Sequence, residues 1–141
     1  MKFHVASQLG AALTATLAIF PQLGTAINNC GNSNEFENQS SGGSPKVTDC
    51  QQLSSNIQGA GRWYIDQFET RTIAWYGTCA FIATSTQGNK AKVGNDDVRD
   101  LIADAIRQFS WNGLVGAKGS MLCEVENANG FTDVDWAIYH T

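Results

Sequence analysis

The sequence predicts an α+β fold in which two helices pack on one face of an antiparallel or mixed sheet of about four strands, in the order α-β-β-α-β-β, stabilised by disulfides. Two segments have apolar residues at helical spacing, and four others have the alternation or the β-branched and aromatic content of strands. Four cysteines follow an apolar N-terminal leader. An even number of cysteines in an exported chain is typical of a disulfide-stabilised domain.

The N-terminal segment has the three parts of a signal peptide. Lys2 is the basic start, residues 5–20 are mostly apolar or small, and Gly24-Thr25-Ala26 offers small residues for cleavage. A membrane anchor is the alternative, but a spanning helix needs about 20 strongly apolar residues, and polar residues interrupt this run. We therefore predict a signal peptide over residues 1–26, a single domain over residues 27–141, and an extracellular location.

Both predicted helices begin at a residue that favours the N-cap position. Asp49 begins the first, and Gln52 completes a capping box. The apolar face of this helix contains Cys50, Leu53 and Ile57. Asn95 begins the second, whose first turn is acidic as the helix dipole favours. Its apolar stripe contains Val98, Leu101, Ile102, Ala105, Ile106 and Phe109.

The four predicted strands form two hairpins. Residues 62–68 and 72–84 are joined by residues 69–71, and residues 121–125 and 132–139 by a turn at 127–130. Residues 32–45 and 87–94 are polar and are predicted as loops. The helices are expected to cover a sheet face that carries Trp75, Cys79, Phe81, Cys123 and Trp136.

Four cysteines allow three disulfide connectivities. Cys50 lies on the apolar face of the first predicted helix and Cys79 on the inner face of a predicted strand, which makes them reasonable partners. Cys30 would then tie the loop-rich N-terminal part to Cys123. We favour Cys50–Cys79 with Cys30–Cys123, and the other two connectivities stay open.

Charge and histidine content exclude several kinds of function. The chain has 9 basic and 13 acidic side chains, and removal of Lys2 with the leader changes the net charge from −4 to −5. A basic surface for nucleic acid or anionic lipid is therefore not expected. His140 is the sole histidine after residue 26, which argues against histidine-rich metal sites and Ser-His-Asp chemistry. We predict no catalytic residue, cofactor or metal, and a monomer without a membrane anchor.

Asn38-Gln39-Ser40 is an N-glycosylation sequon within the polar segment 32–45. An asparagine in such a segment is expected at the surface, where an exported chain meets the glycosylation machinery. Asn38 is therefore predicted to carry a glycan.

A series of short motifs, in order along the chain, resembles a known family. The motifs occupy residues 29–31, 44–50, 61–63, 76–81, 93–97, 111–113, 115–119, 123 and 136–140. Together they resemble the fungal secreted effector domain of the necrosis-inducing factor family, with Ala137 where that family usually has Gly. The resemblance implies a virulence-associated secreted protein. It also implies a relation to killer toxins with two helices on an antiparallel sheet, and to domains fused to chitinases.

Three hypotheses of function follow. The resemblance favours a non-catalytic effector that acts on an unknown host or competitor surface target outside the cell. A carbohydrate- or wall-binding module is the alternative, with Tyr64, Trp111 and Tyr139 as aromatic residues that could stack on sugars if they are exposed. A small secreted hydrolase is less favoured. Its candidate carboxylate pairs are Asp96 with Asp97, Asp133 with Asp135, and Glu124 with Glu126.

Overall fold

The computed structural model describes residues 26–141. The chain forms two helices, α1 (Val47–Asn56) and α2 (Asn95–Phe109). The seven strands within the described residues are β1 (Asn34–Asn38), β2 (Arg62–Ile65), β3 (Thr70–Tyr76), β4 (Cys79–Ser85), β5 (Ala91–Gly94), β6 (Ala117–Glu124) and β7 (Phe131–His140). The predicted signal peptide of residues 1–26 lies outside this range except for Ala26.

The strands form two antiparallel sheets. The larger has five strands in the order β1-β6-β7-β4-β3, and the smaller pairs β2 with β5. Helix α1 packs against α2 and against β3 and β4, whereas the main strand contact of α2 is with β5 of the small sheet. The prediction of about four strands with both helices on one face of a single sheet is therefore wrong.

Three short or interrupted segments explain the missing strands. Residues 72–84 were predicted as one strand, but a turn at Gly77, with φ of 54°, divides them into β3 and β4. The polar segment 32–45 contains β1, which pairs with β6. The polar segment 87–94 contains β5, which takes β2 as its partner and so replaces the predicted pairing of residues 62–68 with residues 72–84.

Helix α1 begins earlier than predicted and uses Asp49 differently. The N-cap is Lys46, which makes no side-chain capping bond, and Asp49 lies in the first turn. The Asp49 carboxylate accepts hydrogen bonds from the backbone N–H of Thr78, at 2.8 Å, and from the Thr78 hydroxyl, at 2.7 Å. This carboxylate therefore joins α1 to the β3–β4 turn.

The N-cap of α2 is Gly94, one residue before the predicted Asn95, and buried polar groups anchor the start of the helix. Asn95 is 2% exposed, and its Oδ1 accepts the Ile27 backbone N–H while its Nδ2 donates to the carbonyl of Ile57. The carboxylate of Asp97 accepts backbone N–H groups from Asn29 and Gly94, both at 2.8 Å. These bonds fix the segment that leads from Ile27 toward β1.

Two disulfides stabilise the fold. Cys50–Cys79 joins α1 to β4, and Cys30–Cys123 joins the N-terminal segment to β6. Within the described residues no cysteine is free. The pairing is the one that the sequence favours, and Cys50, Cys79 and Cys123 are fully buried in the core.

The large sheet has one buried and one solvent-facing side. The inner face, as we call the buried side, packs into the core. Its largest members are Phe81, Met121, Val134, Trp136 and Ile138. The outer face is the opposite side of β3, β4, β6 and β7, together with the outward residues of β1. No helix of the described residues is long and apolar enough to cross a membrane.

Candidate functional site

The outer face is defined by the register of the strands. Because directly opposed residues of an antiparallel pair point to the same side, the pairs of β4 with β7 give its central rows. These pairs are Ala80 with Tyr139, Ile82 with Ala137, and Thr84 with Asp135. On the neighbouring strands, Trp75 of β3 is opposite Ala80, and Lys118 of β6 is opposite Ala137. The face therefore combines aromatic, small apolar and charged side chains.

Trp75 belongs to this outer face, which corrects its predicted place in the core. The register of β3 shifts between Thr72 and Ala74, so that Ile73 and Ala74 are both buried and Trp75 points outward. The Trp75 side chain is 67% exposed. The alternation of apolar residues could not reveal the shift, because a β-bulge reverses which residues face the core after it.

Trp75 and Tyr139 form an aromatic pair on the outer face. They flank Ala80 on adjacent strands, and two strand spacings place their backbones about 10 Å apart. Tyr139 is 39% exposed, whereas Ala80, although on the outer face, has no exposed surface. The two large neighbours explain this burial. The Tyr139 hydroxyl lies 3.1 Å from the Thr72 hydroxyl, which fixes the end of the ring.

A shallow groove of about 260 Å³ lies on the same face and begins at Ile82 and Ala137, which are the next outward residues along β4 and β7 after Ala80 and Tyr139. Its floor contains Ile82, Thr84 and Ala137, which are half-buried. The Thr84 hydroxyl lies 2.8 Å from the Thr70 hydroxyl. Charged side chains also line the groove: Asp135 lies on β7 opposite Thr84, and the side chains on β1 and β6 are Glu35, Glu37 and Lys118. The groove therefore changes from apolar to acidic along its length.

The charges of the groove are only partly balanced. Lys118 Nζ lies 3.2 Å from the Glu37 carboxylate, and both side chains are about half exposed. Across residues 26–141, neither Glu35 nor Asp135 takes part in a salt bridge. Three carboxylates and one ammonium give the groove a net negative charge, which favours a neutral or cationic ligand over an anionic one.

The other two aromatic candidates lie elsewhere. Tyr64, on β2, is 37% exposed, and Lys90 Nζ lies 5.5 Å from the centre of its ring. Trp111 lies between α2 and β6, is 52% exposed, and is held by backbone hydrogen bonds with Leu114. All three predicted aromatic residues are exposed, but only Tyr139 lies on the outer face. Its neighbour there is Trp75, which the sequence had placed in the core.

The carboxylates at the start of α2 have structural partners. Asp97 is 7% exposed and accepts backbone N–H groups from three residues, namely Asn29, Cys30 and Gly94. Burial raises the pKa of Asp97, and the three donors oppose that rise. Asp96 is bonded to Asn28 and Arg99. This pair therefore serves to hold the N-terminal segment on the helix.

The other two candidate pairs differ in their surroundings. Glu124 and Glu126 form salt bridges with lysines, whereas Asp133 and Asp135 lie on the outer face. Glu124 lies 2.8 Å from Lys92 Nζ, and a hydrogen bond from that ammonium lowers the pKa of the Glu124 carboxyl. Glu126 lies 3.1 Å from Lys90 Nζ. Asp133, bonded to the Gln87 amide, and Asp135 both project from the outer face of β7.

Asn38 and His140 are both accessible. Asn38 is exposed at the end of β1, and its Oδ1 accepts the backbone N–H of Ser40 at 2.8 Å. His140 is exposed at the end of β7, where its Nδ1 lies 2.8 Å from the carbonyl oxygen of Thr141. Among the described residues, no group of three His, Cys, Asp or Glu side chains is placed to hold a metal ion.

Comparison with known proteins gives two matches. Residues 29–123 match a family described as "Pathogen effector; putative necrosis-inducing factor". A curated protein of Penicillium expansum, "Probable chitinase LysM18", is 35% identical over 108 residues. The match covers 74% of this chain but 7% of the relative, so the chain is similar to one small part of a much longer protein.

Proposed function

We propose that this chain, which belongs to the pathogen-effector family of necrosis-inducing factors, is secreted and acts outside the producing cell by binding rather than by catalysis. The family match over residues 29–123 is the observation that carries the proposal. Two disulfides support an extracellular location, because such bonds persist in oxidising compartments. The proposed target is a surface component of a host or a competing microbe.

The contacts of two of the three candidate carboxylate pairs favour binding over hydrolysis. Asp97 is occupied by three backbone N–H groups, and Glu124 and Glu126 are each paired with a lysine. A glycosidase needs two carboxylates about 5–10 Å apart across the bond to be cleaved, one of them with a raised pKa. The solvent-facing aromatic pair and the groove offer a contact surface instead.

The effector proposal is tested with secreted, disulfide-intact protein. The full chain is expressed in a secretory host, and the intact mass of the product reports cleavage after Ala26 and any glycan on Asn38. The product is infiltrated into leaves and applied to competing microbes. We expect tissue necrosis or growth inhibition that is lost after reduction and alkylation. No response in any plant or microbe, with the folded state verified, would contradict the proposal.

The Trp75→Ala variant assigns the activity to a surface. We expect this variant to reduce necrosis or growth inhibition, since Trp75 is the more exposed member of the aromatic pair. Trp111→Ala is the matched control, because Trp111 is also exposed but lies in the segment between α2 and β6, not on the outer face. Equal loss in both variants would show that the outer face has no special part in the response.

Carbohydrate or wall binding is a second candidate function. The relative that is named as a chitinase favours it, and so does the pair of exposed aromatic rings beside a groove. Co-sedimentation of the secreted protein with insoluble chitin and with insoluble β-glucan tests this candidate. Recovery of the protein in the pellet supports it, whereas recovery in the supernatant with both polymers contradicts it.

A further inference from the structure

We propose that the outer face binds a linear oligosaccharide of β-linked amino sugars in which at least some of the amines are free and protonated. The binding site comprises the Trp75–Tyr139 pair and the adjoining groove. This inference rests on the second candidate function, carbohydrate binding, and gives it a ligand class and a set of residues.

The aromatic pair provides the first contact. Trp and Tyr rings present an apolar surface and a polar edge, which suits the apolar faces and hydroxyl rims of sugar rings. Their backbones lie about 10 Å apart, so the two side chains can contact different sugar rings of one linear chain. An ammonium group over an exposed aromatic face is also attracted by the ring. The pair therefore favours a sugar that carries a cation.

The groove continues the contact across β4 and β7. Ile82 and Ala137 give it an apolar floor, and the Thr84 hydroxyl stands next along β4. An apolar floor with a few placed polar groups is the usual lining of a small-ligand site. An oligosaccharide has apolar ring faces and polar edges, so it matches a groove with an apolar floor and a few polar groups.

Charge decides which sugar is preferred. Glu35 and Asp135 line the groove without a basic partner in residues 26–141, and Lys118 is matched by Glu37. The excess of carboxylates attracts protonated amines and repels polyuronates and anionic lipid surfaces. The contact with exposed carboxylates is screened by salt, so the preference for amines should fall as ionic strength rises.

Isothermal titration with soluble oligomers tests the inference. β-Linked oligomers of glucosamine, N-acetylglucosamine and glucose, each of about six sugars, are compared with an oligogalacturonate of the same length, at a pH that protonates the amines and leaves the carboxylates ionised. We expect glucosamine to bind tightest and galacturonate not to bind. Trp75→Ala should weaken binding about tenfold or more. Asp135→Asn should reduce the preference for the free amine and spare N-acetylglucosamine binding, because Glu35 still lines the groove without a basic partner. Tyr64→Ala should change neither.

The outcomes separate the inference from the function on which it rests. Equal binding of the glucosamine and N-acetylglucosamine oligomers, unchanged in Asp135→Asn, would overturn the inference and leave carbohydrate binding standing. No binding of any oligomer or insoluble polymer would overturn both. An oligolysine of similar length and charge is the control for bare charge. If it competes as well as the glucosamine oligomer, the ligand class is wrong.

Discussion

The two faces of the large sheet carry tryptophans in opposite settings. Trp136, on the inner face, is 2% exposed, lies 5.7 Å from the Phe81 ring in a stacked arrangement, and donates its indole N–H to the Ser33 hydroxyl at 2.9 Å. Trp75, on the outer face, is 67% exposed. Trp136 contributes to folding through burial and a satisfied hydrogen bond. Trp75 adds little to the fold and is available for a ligand.

The largest expected effect comes from the inner face. Trp136→Ala removes a buried ring together with its contacts to Phe36 and Phe81, and we expect it to lower the free energy of unfolding by about 3–5 kcal/mol. Urea unfolding followed by far-UV circular dichroism measures this loss. A loss below about 1 kcal/mol would mean that the inner face does not form the core.

The Cys30–Cys123 disulfide gives the next largest effect. It closes a segment of 93 residues, and its replacement in the double variant Cys30→Ala/Cys123→Ala should lower the free energy of unfolding by about 2–4 kcal/mol. The free energy of unfolding in urea is compared with that of the disulfide-intact wild-type chain, and the Cys50–Cys79 disulfide is kept in both. Unchanged stability in the double variant would show that the N-terminal segment is held by other contacts, such as those of Asp97.

A smaller, pH-dependent effect is expected at Asp49, where α1 meets the hairpin that carries Trp75. Hydrogen bonds from the Thr78 backbone N–H and hydroxyl lower the pKa of Asp49 below its ordinary 3.8. A carboxyl whose pKa is lower in the folded chain stabilises that chain above the ordinary pKa. It loses this contribution as the pH falls through the folded value.

The Asp49→Asn variant isolates that contribution. The wild-type chain should be more stable than the variant near neutral pH, and the difference should shrink as the pH falls below 3.8 toward the lowered pKa. Urea midpoints for both chains across this range measure the difference. A difference that does not depend on pH would show that the ionised carboxylate is not what joins the helix to the turn.

The smallest expected effect on stability is that of Trp75→Ala. Substitution of an exposed side chain away from the core should change the free energy of unfolding by no more than about 0.5 kcal/mol. Paired urea titrations of this variant and Trp136→Ala compare the two faces directly. If Trp75→Ala lowered the free energy of unfolding about as much as Trp136→Ala, the two faces would not differ in their contribution to stability.

The sequence predicted the features that depend on strong periodicity. The stripe from Val98 to Phe109 identified α2, and the alternation from Val134 to Ile138 identified β7 and its buried face. It missed β1 and β5 because those strands are short, lie within mostly polar segments and are stabilised by partners distant in the chain. Strand propensity reflects this tertiary context more than local preference.

The candidate site was harder to predict than the fold. Tyr139 could be proposed because it alternates with buried residues of β7. Trp75 could not, since its direction depends on the register shift between Thr72 and Ala74 and on the turn at Gly77. The groove also needs Glu35 and Lys118, which come together only when β1 pairs with β6.

Binding and stability measured on the same sample of Trp75→Ala test the central claim most directly. That claim is our proposal that the outer face binds a ligand while the inner face maintains the fold. The account predicts that the variant unfolds within about 0.5 kcal/mol of the wild-type chain while its affinity for the glucosamine oligomer falls about tenfold or more. An unchanged affinity in the folded variant would contradict the account.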